Sequence, residues 1–176
     1  TFNGHSLTVG SLNTNNGTCS TIAGGFSNNI GSVAQSAIAG GRQNSNQAAC
    51  SFIGGGCKNT GSGQFSSVVG GFENVNAGAC SFIGGGYQNM VCSGEFYSTI
   101  AGGLCNKIDG DCSTVGGGHR NCVLGNASTV GGGTLNYINV ACCSTIAGGR
   151  DNEINTTSGW HSIGGGSGNC ILSSTN

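Results

Sequence analysis

Cys19-Ser20-Thr21-Ile22-Ala23-Gly24-Gly25-Phe26-Ser27-Asn28-Asn29-Ile30 is one copy of a phrase that returns from end to end of the chain. Its apolar anchor recurs at Leu7, Ile22, Ile38, Ile53, Val68, Ile83, Ile100, Val115, Val130, Ile146 and Ile163. Six residues after each anchor stands an Asn: Asn13, Asn28, Asn44, Asn59, Asn74, Asn89, Asn106, Asn121, Asn136, Asn152 and Asn169. Successive anchors lie 15, 16, 15, 15, 15, 17, 15, 15, 16 and 17 residues apart. A short fixed period means stacked units, each contacting only its neighbours, rather than a globule with a single site.

Within one unit the side chains alternate. Ser20, Ile22 and Gly24 are expected to face inward and Cys19, Thr21 and Ala23 outward. The β-branched anchor suits a strand. The Gly pair then breaks it, and the Asn closes the turn. Stacked Asn side chains can add a ladder of hydrogen bonds along the axis. A second apolar position follows eight residues after the anchor at Ile30, Val91, Ile108, Val123, Ile138, Ile154 and Ile171, whereas Asn46, Gly61 and Asn76 replace it in repeats three to five. Two apolar positions half a repeat apart predict two short strands per coil. The expected fold is therefore all-β: a single parallel β-solenoid over residues 1–176, of about eleven coils.

The composition agrees. The chain has 37 Gly, no Pro and only 11 charged residues among 176. Disorder would not hold Gly and apolar residues in phase, and collagen would need Gly at every third position. The net charge of −1 gives no footprint for nucleic acid, and no apolar run reaches the length of a membrane span. No leader segment is recognisable, which reads as a mature or excised form.

A longer period lies beneath the first. The residue three before each anchor reads Gly4, Cys19, Gln35, Cys50, Phe65, Cys80, Tyr97, Cys112, Ala127, Cys143 and Trp160, so every second repeat carries Cys. Two coil arrangements are open. With one repeat per coil, which two strands and two turns favour, these thiols lie ~9.5 Å apart, too far for disulfides. With two repeats per coil they stack at ~4.8 Å, within disulfide range. The total of 11 Cys points to an oxidising location and leaves at least one thiol free or bonded to another chain. Cys19, Cys50, Cys80, Cys112 and Cys143 are the candidate disulfide or assembly residues. Phe65, Tyr97 and Trp160 are the candidate interface aromatics.

Chemistry has little to rest on. Cys57, Cys92, Cys105, Cys122, Cys142 and Cys170 show no CxxC spacing, so no metal is assigned. Asp109-Gly110-Asp111 lacks the further ligands of a calcium loop and reads as a solvated turn. His5 and His161 replace the repeat's usual Ser near the two ends, and His119 stands alone. The Gly runs lack the Lys and Ser/Thr of a phosphate cradle. The sequons at Asn16, Asn126 and Asn155 are what a chain this rich in Asn, Ser and Thr contains by chance. No catalytic residue and no cofactor is assigned, and the chain does not read as an enzyme.

The phrases beginning at Cys19, Cys50 and Ser128, each ending Gly-Gly-x-x-Asn, resemble the head repeats of trimeric autotransporter adhesins (YadA-like heads) and related repeats of phage and viral fibre proteins. The resemblance implies a left-handed parallel β-roll, usually trimeric, exposed on a cell or virion surface and used for attachment. This chain is richer in Cys than such heads, and no neck, stalk or membrane anchor is recognisable in it. The expected function is an extracellular structural fibre or adhesin head. Its expected partner is itself, as a filament or trimer, with a cell-surface or glycan ligand. No polar cap is recognisable, so open end strands or exposed aromatics would drive assembly. An alternative class is ice binding through Thr99, Thr114, Thr129 and Thr145, which share one phase.

Overall fold

The computed structural model describes residues 7–173; Gly4 and His5 lie outside them. The described chain winds into a parallel β-solenoid with two strands per coil. One 11-stranded sheet runs from Leu7–Thr8 to Ser162–Ile163, and a second 11-stranded sheet runs from Thr14–Asn15 to Cys170–Leu172. Ile22 pairs with Ile38, Ile38 with Ile53 and Ile53 with Val68, so one repeat makes one coil. The two-repeat coil is thereby excluded. Units of unequal length still stack in register, as Ile83 opposite Ile100 shows across the 17-residue spacing.

The core is a single file of Ile and Val between two sheets. The anchors from Ile22 to Ile146 and the second column at Ile30, Val91, Ile108, Val123, Ile138 and Ile154 are fully buried. Burying each such side chain is worth about 1.5–3 kcal/mol, which compensates for very short strands. Coils three to five break the pattern. There Asn46 and Asn76 are buried, with Nδ2 donating across the core to the carbonyls of Ser51 and Ser81, both at 2.9 Å. Asn46 Oδ1 accepts from Ser51 Oγ, while Asn76 Oδ1 and Ser66 Oγ have no protein partner.

The Asn column does two jobs at once. Asn89 Nδ2 donates to the carbonyl of Gly85 in its own turn (2.9 Å) and to that of Gly103 in the next coil (2.9 Å). Its Oδ1 accepts from the backbone N–H (3.0 Å) and the Nδ2 (3.1 Å) of Asn106. The pattern repeats along the column, with each Asn from Asn28 to Asn152 buried. Turn closure and the axial ladder are therefore one network. From Ser81 onward a parallel ladder runs through the inward Ser residues: Ser98 Oγ accepts from the N–H of Ser113, and Ser113 Oγ from that of Ser128.

Two sequence expectations change. The Gly two residues after the anchor, the first of the pair, does not line the core: a Cβ added at Gly24, Gly40 or Gly132 would meet nothing within 4 Å. The strand ends after two residues, so alternation no longer governs that position. The third residue after the anchor is the constrained one. At Gly86 (φ +92°) a Cβ would collide with the carbonyl oxygen of Gly103 and press on Asn89 Nδ2 at 2.7 Å. The first coil also departs. Thr8, not Leu7, stands opposite Ile22, and Leu7 falls in the outward column, 42% exposed. This coil has Val9-Gly10-Ser11 where its neighbour has Ala23-Gly24-Gly25-Phe26, one residue fewer in the turn.

Asn89→Ala removes both the donors and the acceptor from a dry column. Each buried group left unpaired costs about 1–3 kcal/mol, so a thermal melt followed by circular dichroism should shift well below wild type. Thr129→Ser, on the outer face, should leave the melt nearly unchanged. Equal shifts for the two variants would refute the ladder's role.

Candidate interaction surface

With the interior consumed by packing and ladders, side-chain chemistry is carried on outward columns that repeat once per coil. Two of them sit on the corners of the coil. The column three before the anchor, from Cys19 to Trp160, and the column five after it, from Leu12 to Asp151, both adopt positive φ, between 51° and 72°. Non-Gly residues enter this region at a cost of roughly 1–2 kcal/mol. Neither column contains Val, Ile or Thr, whose branched Cβ fits worst there. What holds these residues is a reversal of hydrogen bonding. Strand N–H groups donate to the next coil, as Thr114 does to Ser128 (2.9 Å); corner N–H groups donate to the preceding one, as Cys80 does to Gln64 (2.8 Å) and Cys112 to Phe96 (2.8 Å).

The first corner carries all the assembly residues read from the sequence. Cys19, Cys80 and Cys112 are exposed, and Cys50 and Cys143 half-buried. Phe65, Tyr97 and Trp160 stand between or beyond them, 54%, 66% and 84% exposed. The structure brings these residues onto one edge. It does not join them: one repeat per coil separates the five corner Cys by two strand spacings, and all eleven cysteines carry free thiols.

The outer face of the first sheet holds Thr99, Thr114, Thr129 and Thr145 in direct register. Phe82, on the other side of Thr99, and Phe52 beyond it occupy the same column. The turn column beside the second corner contains a group that the sequence reading passed over. Phe72 and Tyr87 stack at 5.4 Å between centroids with planes 8° apart. Lys58 lies 5.5 Å from the Phe72 centroid and pairs with Glu73 at 3.1 Å. Gln88 Nε2 donates to the other Glu73 oxygen at 2.8 Å. The signal was present as aromatics at one phase in adjacent repeats.

On the second sheet Met90, Lys107, Cys122 and Tyr137 align. Burial pushes the Cys122 and Cys92 thiols above their ordinary range, more than the nearby Lys107 ammonium lowers them. Lys107 is spent on Asp109 (2.9 Å), whose hydrogen bond raises the ammonium pKa. Asp111 instead accepts the Phe96 N–H at 2.6 Å. Among the described residues no three His, Cys, Asp or Glu side chains are grouped to hold a metal. His161 keeps the Ser phase: its N–H donates to Ser144 Oγ (3.2 Å) and its Nε2 meets Ser158 Oγ (3.2 Å). Compared with known protein families and with curated protein sequences, the chain matches none.

Gln88, then Lys58, hold the Glu73 carboxyl below the usual carboxylate range. A carboxyl lowered on folding stabilises the fold above its unfolded pKa, and that contribution fades as pH falls through the folded value. Wild type should therefore melt above Glu73→Gln at pH 7, and the two melting curves should converge toward pH 3. A gap that is constant with pH would show that the carboxylate contacts add nothing.

Proposed function

We propose that this protein is a non-enzymatic structural rod of an extracellular, virion or cell surface, working as a fibre or attachment head that associates with further copies of itself. The observation that carries this reading is the register of the outward columns. Every coil presents one residue per column at a spacing of ~4.8 Å, and the exposed aromatics Phe65, Tyr97 and Trp160 share a corner held by backbone hydrogen bonds. A fold of this kind sets distance by the number of coils and offers a long repetitive surface for contact. Exposed aromatics on one line favour a partner with an equally regular surface, which another copy supplies. Attachment to a cell-surface or glycan ligand would use the same outward columns. The resemblance to adhesin heads and viral fibre repeats supports surface attachment as the purpose of such a rod.

Ice binding is the second reading, favoured by one observation: Thr99, Thr114, Thr129 and Thr145 stand in unbroken register on a parallel sheet, beside the small residues Ala101, Gly116, Gly131 and Ala147. Phe52 and Phe82 limit the Thr run to one part of that face.

Light scattering and electron microscopy of the native protein at micromolar concentration should give dimers or larger rod-like assemblies, with no thermal hysteresis and no ice shaping. A strictly monomeric particle overturns the self-associating rod. Hysteresis abolished by Thr114→Lys would replace it with the second reading.

A further inference from the structure

The corner Cys column has a symmetry of its own. Counting coils from the one that contains Leu7–Thr8, the Cys stand on coils 2, 4, 6, 8 and 10, so the array is symmetric about Cys80 on coil 6. A two-fold axis through Cys80, perpendicular to the rod, would place Cys50 of one copy opposite Cys112 of another, and Cys19 opposite Cys143. The intervening positions also match. Phe65 on coil 5 falls opposite Tyr97 on coil 7, and Gln35 opposite Ala127. A self-complementary patch of this kind is what a two-fold interface requires.

We propose that this corner is the contact of an antiparallel two-fold pair of copies of this chain, closed by thiol–disulfide exchange between facing cysteines. This deepens the self-association argued above and rests on it. Several features fit. The thiols cannot satisfy one another within a chain, since successive corner Cys are two coils apart, ~9.5 Å, beyond disulfide reach. The corner backbone is fixed in register by hydrogen bonds such as Tyr97 N–H to Ala79 O (3.1 Å) and Ala127 N–H to Asp111 O (2.7 Å), so the spacing on one copy equals that on the other. Charge does not oppose the pairing either: Asp111, at the edge of coil 8, would meet coil 4, where the same position is Ala49.

The oxidant is a low-molecular-weight disulfide. The thiolate of Cys50 attacks one of its sulfurs, forming a mixed disulfide and releasing one small thiol. The Cys112 thiolate of the second copy attacks the Cys50 sulfur, forming the interchain bond and releasing the second small thiol. Two protein thiols are oxidised and one small disulfide is reduced, with both protons passing to the released thiols.

Full-length reduced protein is equilibrated in a buffer of reduced and oxidised glutathione, blocked with an alkylating agent, run on a non-reducing gel and digested with trypsin. Cleavage after Arg42, Lys58, Lys107 and Arg120 isolates Cys112 on residues 108–120, and in Cys57→Ser it leaves Cys50 alone on residues 43–58. The expected result is a covalent dimer in which these two peptides are joined to each other. Cys50 and Cys112 lie four coils apart within one chain, so that bond is necessarily between copies. In Cys50→Ser/Cys112→Ser this linkage disappears while the Cys80–Cys80 linkage and the dimer remain. Residues 108–120 joined to themselves would indicate parallel pairing and overturn the inference, as would a chain that stays uncrosslinked or scrambles its partners. Light scattering under reductant separates the two levels: persistent assembly without these links sinks only the antiparallel corner, whereas a monomer under both conditions sinks self-association as well.

Discussion

A buried amide that must find its hydrogen-bond partners in its own turn and in the coils above and below dictates much of this molecule. Asn89 reaches the carbonyls of Gly85 and Gly103 and receives two donors from Asn106. To meet Gly103, the chain three residues after the anchor must approach so closely that Gly86 has no room for a Cβ. Asn and Gly therefore constrain each other. An Asp would lose the donors, and a longer amide would not fit the same turn. The one-coil period follows, because the next Asn must sit one strand spacing away.

The ladder works beside a thin apolar file, and the two divide the labour. Ile and Val supply burial free energy, which has no direction. The Asn and Ser ladders supply direction, because a side-chain amide or hydroxyl accepts only from the residue of the same phase in the next coil. That division explains how coils three to five survive Asn46, Gly61 and Asn76 where coil two and coils six to eleven have Ile or Val. Register there is held by the buried Asn ladder, and Asn46 and Asn76 turn the weakened core into a bridge between sheets.

The corners show the same economy. Left-handed backbone is unfavourable for Cys80, Tyr97 or Trp160 taken alone, yet it turns the N–H toward the preceding coil, and the strands on either side donate to the following one. Each coil is thus tied in both directions. The outward side chains are a by-product of that scheme: whatever stands at a corner is held out on a rigid edge, which makes the corner the natural place for contact with another molecule.

The coil, its two strands, the turn Asn and the inward Ser were legible in the sequence because each recurs at fixed phase, and eleven copies average away local ambiguity. The phase of Leu7 was not legible, since a deletion in one turn is invisible until neighbouring strands are paired. The role of the Gly two residues after the anchor was misread because alternation was carried past the end of a two-residue strand. The Phe72–Tyr87–Lys58–Glu73 group needed side-chain positions, which periodicity does not supply. The sequence by itself determined the period, the β-solenoid class and the alternation of Cys with other residues at the corner, because these are properties of spacing along the chain. Only the tertiary structure decided that one repeat is one coil, that the Asn residues form a ladder as well as turns, and that the corner thiols stay apart. Those depend on distances between residues about fifteen apart in sequence, which are set by the ~4.8 Å separation of hydrogen-bonded strands.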